Sequence, residues 1–197
     1  VPGKNIKKLN GKPLINYTIE AARELFNDQE IIVSTDSSDI KRVVEHIGLD
    51  VPFLRPSNLA TDISNTRDVL LHSLDYYKST YDYEPEVIIV LQPTSPFRTS
   101  KHISEALSLW TGSIDLDMIV SVKQTKSNPY YVLFEENKDG FLEKSKEGLF
   151  TRRQDCPKVF EFNGAVYIIS TKSLRSNHVS EFKKTKKYLM DEFSSHD

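Results

Sequence analysis

Five consecutive apolar residues, at positions 87–91, end abruptly at a polar segment with two prolines that begins at Gln92 and ends at Arg98. An apolar run without alternation favours a strand covered on both faces, as in a sheet between two layers of helices. In α/β sheets of this kind, ligands bind beyond the carboxyl ends of the strands. The sequence therefore predicts a candidate binding loop at residues 92–98. An ordinary strand-to-helix turn accounts for the same residues equally well.

Helical and strand-like segments alternate along the first two thirds of the chain. Apolar residues at helical spacing predict helices at 13–26, 36–47, 66–77 and 100–110. Short apolar runs predict strands at 30–35, 51–54, 87–91 and 118–122. This alternation predicts a three-layer α/β/α, Rossmann-like fold with a mainly parallel sheet. After Lys123, β-forming residues cluster around a turn at 137–140, which predicts antiparallel hairpins in a projecting arm at residues 126–160.

Composition excludes several classes of function. The 197 residues fit one domain, and a net charge of -2 gives no overall reason to bind nucleic acid. The lysines at 183, 184, 186 and 187 lack interleaved aromatic residues, so we interpret them as a solvated surface. Cys156 is the single cysteine, which excludes an intramolecular disulfide and favours a reducing cytoplasm. No apolar run approaches the roughly 20 residues that a membrane span needs.

Two segments, residues 91–98 and 162–167, carry most of a resemblance to a known family. The other matching segments are Pro2-Gly3-Lys4-Asn5, Asn10-Gly11-Lys12-Pro13-Leu14, Ile32-Val33-Ser34-Thr35-Asp36, Arg55-Pro56, Leu59-Ala60 with Asp62, and Arg153-Gln154 before Pro157. In this order they resemble the CMP-sialic acid synthetases, also called acylneuraminate cytidylyltransferases. The resemblance implies a nucleotidyltransferase that joins CTP to an acidic nine-carbon 2-keto-3-deoxy sugar and releases pyrophosphate.

The resemblance implies nucleotide-binding roles for four residues. Lys4, at the end of a phosphate loop, would screen phosphate charge during catalysis, and Asn5 would bind the nucleotide. Arg55, fixed by the proline that follows it, suits the acceptor edge of cytosine. A surface salt bridge is an equally good interpretation of Arg55. Thr66 stands where the family reads the base with a hydroxyl, although Ser64 and Asn65 are close enough in sequence to be confused with it.

Sugar binding is expected from Gln92, Asn163, Tyr167 and Arg153. Gln92 and Asn163 carry paired donors and acceptors that suit a polyhydroxylated sugar with amide substituents, although either amide could instead satisfy backbone groups. Tyr167 would line the same pocket. Arg153, next to Arg152, is a candidate for the sugar carboxylate because a guanidinium pairs bidentately with it. A solvent-exposed role for this arginine stays open.

The resemblance also implies catalysis with Mg²⁺ held by a late Asp-x-Asp motif. Asp197 matches the first aspartate of that motif and is the predicted catalytic metal ligand. We expect the chain to be truncated at both ends, before the phosphate loop and after Asp197, and therefore to turn over poorly. Asp36 and Asp39 are interpreted as helix-capping residues. The five histidines share no zinc-ligand spacing.

The predicted arm is rich in aromatic residues, more than a small projection can bury alone. Together with the resemblance, this predicts a homodimer, although local folding-back of the arm would also cover these side chains. No nucleic acid or membrane partner is expected. Alternative substrates are legionaminate, pseudaminate and octulosonate sugars. A protein that binds a nucleotide sugar without turning it over is a further alternative.

Overall fold

The computed structural model describes residues 3–60 and 65–196. The helices within these residues are α1 (Leu14–Arg23), α2 (Ser38–His46), α3 (Thr66–Tyr81), α4 (Ser100–Thr111) and α5 (Thr171–Ser176). The strands are β1 (Lys8–Leu9), β2 (Lys12–Pro13), β3 (Val87–Val90), β4 (Met118–Gln124), β5 (Phe134–Glu136), β6 (Leu142–Lys144), β7 (Phe160–Ser170) and β8 (Thr185–Leu189). In the described part of the chain, no helix is both long and apolar enough to span a membrane.

The central sheet is mixed, so the expectation of a mainly parallel sheet is wrong. Its strand order is β3-β7-β4-β8, and only β4 and β8 pair in parallel among the described strands. β7 runs antiparallel to both of its neighbours, β3 and β4. The physical reason is that β3 and β4 point the same way but never pair. The long β7 enters between them from the opposite direction.

Helices cover both faces of this sheet, which confirms the predicted three layers. On one face, α1 and α4 pack through Ala21, Ile103 and Ala106 against a buried apolar cluster. On the other face, α3 and α5 contribute Leu70, Leu71 and Leu174 to a second cluster. The near-continuous apolar character of β3 and β4 follows from this double coverage.

The strands predicted at 30–35 and 51–54 do not form a ladder in the described structure. Both segments are extended and pack with α1 and α2 around Val44, Leu49 and Val51. A single backbone hydrogen bond, 2.7 Å from the Arg55 amide to the Thr35 carbonyl, joins them. Their apolar residues are packed against the helices, as an apolar run indicates. The prediction of strands is nevertheless wrong, because neither segment pairs with a neighbouring strand among the residues that the structure describes.

The helix caps differ from expectation at α2. Ser37 is its N-cap, and the Ser37 hydroxyl accepts a hydrogen bond from the Ile40 amide at 3.4 Å. Asp36 instead pairs with Arg55 at 3.0 Å. Asp39 lies in the first helical turn, where its carboxylate pairs with Arg42 and complements the helix dipole.

Residues 126–159 form an insertion between β4 and β7, and the hairpin of β5 and β6 lies within it. Some of its aromatic side chains fold back, as where Tyr130 meets Phe150 edge-on at 5.3 Å between ring centroids. Other apolar side chains stay exposed, including Phe141 and Leu142, each 69% accessible. Folding-back therefore covers only part of the apolar surface of the insertion.

Candidate active site

A cleft of about 420 Å³ opens at the edge of the sheet where β3 ends and β7 begins. Its walls come from the loop after β3, the first half of β7 and the turn after β8. The lining residues are Gln92, Lys123, Glu161, Phe162, Asn163, Gly164, Tyr167, Ser195 and His196. Three of the four residues predicted to contact the sugar therefore share one cleft.

A wide bulge in β7 builds the floor of this cleft. Val120 of β4 pairs with Tyr167 and Val122 pairs with Phe162, so residues 163–166 of β7 face Ser121 alone. Gly164, within the bulge, has a φ of 75°, in the left-handed region that disfavours side chains. A Cβ at Gly164 would also lie 2.7 Å from Oε1 of Gln92. Both constraints favour glycine at this position.

The side chain of Asn163 is buried at the bulge, and its amide is fully hydrogen-bonded. Its Oδ1 accepts from the Ser121 hydroxyl at 2.6 Å and from the Ala165 amide at 3.2 Å. Its Nδ2 donates to the Ser195 hydroxyl at 2.9 Å and to the Met190 sulfur at 3.4 Å. An asparagine side chain offers two donor hydrogens and two acceptor lone pairs, and all four are used here.

Arg98 locks the loop that carries Gln92. Its Nη1 donates to the carbonyls of Gln92 and Ala165, both at 3.0 Å, and its Nη2 donates to the Thr18 hydroxyl at 2.6 Å. The side chain is 2% exposed, and burial lowers the pKa of Arg98 to about 10. The guanidinium therefore stays charged at neutral pH and ties the β3 loop to both β7 and α1.

The turn at residues 191–196 closes one side of the cleft. Asp191 accepts hydrogen bonds from the Ser194 amide at 2.8 Å and the Ser194 hydroxyl at 2.7 Å. These bonds hold the pKa of Asp191 below its usual range. The ring of Phe193 packs on Phe97 of the β3 loop, with 4.7 Å between centroids. The turn and the loop thus support each other across the opening.

Gln92 and Tyr167 present free polar groups to the cleft. Neither the Gln92 amide nor the Tyr167 hydroxyl has a hydrogen-bond partner among the described residues. Burial raises the pKa of Tyr167, so its hydroxyl stays protonated at neutral pH. At the rim, Lys123 pairs with Glu161 at 2.8 Å, and this hydrogen bond lowers the pKa of Glu161. The cleft therefore offers the neutral Gln92 amide and the Tyr167 phenol to a ligand, next to the ion pair of Lys123 and Glu161 at its rim.

The predicted nucleotide residues lie outside this cleft. Lys4 is exposed in a short turn of 3-10 helix, Lys4–Ile6, and Thr66 is the exposed first residue of α3. The Asn5 Oδ1 and Arg55 Nε atoms are buried without a hydrogen-bond partner among the described residues. Arg55 also forms the salt bridge with Asp36 that was its alternative interpretation. Ser64 and Asp62 lie outside the described residues.

Arg153 lies in the insertion, and it is not among the residues that line the cleft. Its guanidinium lies 5.9 Å from the ring centroid of Tyr131. Its neighbour Arg152 forms a bidentate pair with Asp155 at 2.8 and 2.9 Å. The fork expected for a sugar carboxylate is therefore not assembled with Gln92 and Tyr167 within this chain.

The described residues do not supply a site that fits magnesium. Asp197 lies outside them, and no group of three or more histidine, cysteine or acidic side chains in residues 3–60 and 65–196 is placed to hold a metal ion. Asp191 is not among the residues that line the cleft. The magnesium assignment stays a prediction that rests on Asp197.

A larger cleft, of about 610 Å³, lies at the opposite edge of the sheet. Glu86 and Asp117 line it, directly before β3 and β4 begin, together with Thr171 after β7. Ligands in α/β sheets bind at the carboxyl ends of the strands, so the smaller cleft is the better candidate. None of the residues predicted for the site lines the larger one.

Ser121, Gly164 and Ser195 are among the residues of the site that were not predicted from the sequence. Ser121 could have been found, because it is the one polar residue in the apolar run 118–122 of β4; the structure shows that it is completely buried. Gly164 follows Asn163 in a segment of β-forming residues, where glycine often marks a bulge. Ser195 carries no local signal, since its importance depends on a contact with Asn163, which is 32 residues away.

Known proteins similar to this chain identify its family. The family model described as cytidylyltransferase matches residues 1–195. Post-translational flagellin modification protein B of Campylobacter coli is 34% identical, over 100% of this chain and 83% of that protein. CMP-N,N'-diacetyllegionaminic acid synthase of Campylobacter jejuni is 33% identical over the same shares. N-acylneuraminate cytidylyltransferase of Escherichia coli is 35% identical, over 98% of this chain and 45% of that protein.

A solved structure shares the fold at low sequence identity. CMP:2-keto-3-deoxy-manno-octonic acid synthetase, solved in complex with CTP, has a TM-score of 0.67 at 16% identity, over 96% of this chain and 85% of its own. This likeness concerns the fold alone. The match to the family model and the curated relatives, together with the fold, shows that the chain belongs to the cytidylyltransferase family of nucleotidyltransferase enzymes that includes the CMP-sialic acid synthetases.

Proposed function

We propose that this cytidylyltransferase activates an acidic nine-carbon 2-keto-3-deoxy sugar of the N-acylneuraminate type with CTP. The oxygen of the anomeric C2 hydroxyl attacks the α-phosphorus, the bond from that phosphorus to the bridging oxygen breaks, and pyrophosphate leaves. The hydroxyl proton is lost to water or buffer. The observation that carries the proposal is the convergence of Gln92, Asn163 and Tyr167 on one cleft at the carboxyl end of β3.

The cleft suits the sugar through a small number of groups. The Gln92 amide can donate to and accept from hydroxyl or acylamido substituents, and Tyr167 offers a ring and a protonated hydroxyl. Arg98 holds the loop before substrate arrives, so little ordering of the protein is left to binding. Catalysis in this proposal comes from alignment of the reacting atoms and from charge stabilisation.

The nucleotide side of the proposal rests on Lys4, Asn5, Arg55 and Thr66. The unpaired buried Asn5 Oδ1 and Arg55 Nε support it, because buried polar atoms without partners are costly and a ligand could satisfy them. When bound, Mg²⁺ would neutralise phosphate charge, with Asp197 as the proposed ligand. The single cysteine fits an enzyme of the reducing cytoplasm.

A homodimer is part of the proposal, with the insertion at residues 126–159 as its contact. The exposed apolar residues there support a partner surface: Phe134, Phe141, Leu142 and Leu149. In a dimer, Arg153 could reach the sugar bound by the neighbouring subunit. Sedimentation of the protein at micromolar concentration tests this, and a monomer would contradict it. Phe141→Asp should weaken dimerisation, whereas Ile114→Asp, at an exposed apolar residue outside the insertion, should not.

A second substrate is favoured by a specific observation. Two similar proteins, from Campylobacter jejuni and Legionella pneumophila, are CMP-N,N'-diacetyllegionaminic acid synthases. N,N'-diacetyllegionaminate is therefore an alternative to N-acetylneuraminate at the same cleft. A pseudaminate is a further candidate, since a pseudaminic acid cytidylyltransferase is 25% identical over 88% of this chain.

The test measures CMP-sugar formation and pyrophosphate release with the full protein, CTP and Mg²⁺. N-acetylneuraminate, N,N'-diacetyllegionaminate, pseudaminate and 2-keto-3-deoxyoctulosonate are compared by kcat/KM. We expect N-acetylneuraminate to have the highest value, and a higher value for any other sugar reassigns the substrate. Binding of CTP and sugar without product formation would instead support a silent binding protein.

Gln92→Ala tests the cleft itself. Loss of the free amide should raise the KM for the sugar about tenfold and leave the KM for CTP unchanged, since one to two hydrogen bonds are lost. Gln29→Ala, an exposed glutamine in the 3-10 turn Asp28–Glu30, is the matched control. An unchanged sugar KM in Gln92→Ala would remove this residue from the sugar site.

A further inference from the structure

The amide of Asn163 has no hydrogen-bonding capacity left for a substrate. Its two acceptor positions are taken by Ser121 and Ala165, and its two donor positions by Ser195 and Met190. The side chain is also buried, at 8% exposure. A sugar that hydrogen-bonded this amide would first have to break one of these four bonds.

The four bonds connect three parts of the structure. At the bulge these parts are not joined to one another by strand pairing. Ser121 belongs to β4, and Ala165 belongs to the bulge of β7. Ser195 belongs to the turn at residues 191–196 that closes the cleft. One side chain therefore fixes the distance between the floor of the cleft and one of its walls.

The contact with Ser195 continues through the turn. The Ser195 hydroxyl accepts from Asn163 and donates to the Asp191 carbonyl at 2.6 Å. The Ser195 amide donates to the Glu192 carbonyl at 3.3 Å. Ser195 is 4% exposed, so water cannot readily replace the Asn163 amide. The Asn163 amide thus ties β7 directly to the hydrogen bonds within the turn.

We infer that Asn163 is a positioning residue that acts through Ser195, and that it does not contact the sugar. It holds the 191–196 turn against the bulge of β7, so that Ser195 and His196 keep their places in the lining of the cleft. This inference rests on the proposed function for its kinetic consequence. Its structural consequence, the order of the turn, is independent of any substrate.

The experiment compares Asn163→Ala, Ser195→Ala and the double variant, with Ser104→Ala as the matched control. Ser104 is a half-buried residue of α4, outside the cleft, and it bonds only within its helix. We expect kcat/KM to fall about 100-fold in Asn163→Ala, through misplacement of the cleft wall. Ser195→Ala should lose roughly five- to tenfold, as one hydrogen bond implies. The double variant should be no worse than Asn163→Ala alone.

Hydrogen exchange of residues 192–196 provides a readout without turnover. Ser195→Ala and Asn163→Ala should both speed exchange of the Ser194 and Ser195 amides by at least about tenfold, and Ser104→Ala should leave it unchanged. Circular dichroism checks that each variant is folded. If Asn163→Ala fails to fold, Ser195→Ala alone still decides, because Asn163 is intact in it.

Two results would overturn the inference. In the first, Ser195→Ala leaves both exchange and kinetics as in the unaltered protein. In the second, the two substitutions multiply in kcat/KM and raise only the sugar KM, as a direct contact from Asn163 would require. If the unaltered protein turned over none of the sugars, the proposed function would fail, and exchange alone would still decide the positioning role.

Discussion

Gly164→Ala is the perturbation whose effect can be worked out most fully from the structure. Gly164 has a φ of 75°, and an added Cβ would lie 2.7 Å from Oε1 and 3.4 Å from Cδ of Gln92. The substitution therefore combines two costs. One is the left-handed backbone conformation, about 1–2 kcal/mol for a residue with a Cβ. The other is displacement of the Gln92 side chain from the floor of the cleft.

Gly48→Ala separates these two costs. Gly48 has a φ of 79°, close to that of Gly164, and a Cβ there would meet no atom within 4 Å. It should therefore lose only the backbone cost of about 1–2 kcal/mol. Because each kcal/mol shifts Tm by about 2–4 °C in a domain of this size, Gly48→Ala should melt about 2–8 °C lower. Gly164→Ala should lose at least as much.

The discriminating assay is kinetic. Gly164→Ala should raise the KM for the sugar, since the flexible Gln92 side chain must rotate away from the new methyl group. Gly48→Ala should leave that KM unchanged, because it lies after α2, away from the cleft. Urea denaturation and thermal unfolding measure the loss of stability in both variants. Gly164→Ala should raise the KM for the sugar less in a protein that already carries Gln92→Ala than in the unaltered protein.

The refuting result is equally specific. If Gly164→Ala and Gly48→Ala lose the same stability and neither changes the sugar KM, then Gln92 does not depend on the open space above Gly164. An effect of Gly164→Ala on the KM for CTP alone would also contradict the argument. The bulge would then serve the nucleotide side of the reaction.

Two further predictions concern charged side chains that are held by hydrogen bonds. Arg98→Met should destabilise the fold by about 1–3 kcal/mol in urea denaturation, because the Gln92 and Ala165 carbonyls lose their donor; no loss of stability would show that water replaces it. The pKa of Asp117 is lowered, first by the Ser173 hydroxyl and then by the Lys184 amide. Its stabilisation is therefore present above the ordinary carboxyl pKa and is lost as pH falls through the lower folded value. The stability difference between the unaltered protein and Asp117→Asn should shrink on acidification, and a constant difference would contradict this.

The sequence identified the parts of the site that depend on local chemistry. The apolar run before Gln92 predicted a doubly covered strand, and β3 is one. Gln92, Asn163 and Tyr167 were predicted to share a pocket from the resemblance, and the pairing of β3 with β7 brings them together. Residue type and spacing were sufficient for the strand, whereas the shared pocket required the resemblance to the family.

The remaining features depend on contacts between residues far apart in sequence. The mixed sheet follows from β7 entering between β3 and β4, which no local pattern specifies. Asn163 has the same chemistry whether it faces a sugar or the protein. Its saturation depends on Ser121 and Ser195, which are 42 and 32 residues away. Side-chain type predicted a hydrogen-bonding residue, but only the fold shows which groups it bonds.

The base of the insertion has a consequence for how this chain can vary. The β4–β7 ladder continues to Gln124 and Phe160, the Thr125 amide bonds the Val159 carbonyl at 3.2 Å, and Asn128 bonds the Pro157 carbonyl at 2.9 Å. Hydrogen bonds therefore hold the first and last residues of the insertion together at its base. Each doubling of loop length lowers the free energy of unfolding by only about 0.6 kcal/mol. The outer part of the insertion can therefore be lengthened, shortened or replaced with little loss of stability. Natural variation or protein engineering can therefore change the sequence and length of the insertion while the central sheet stays the same.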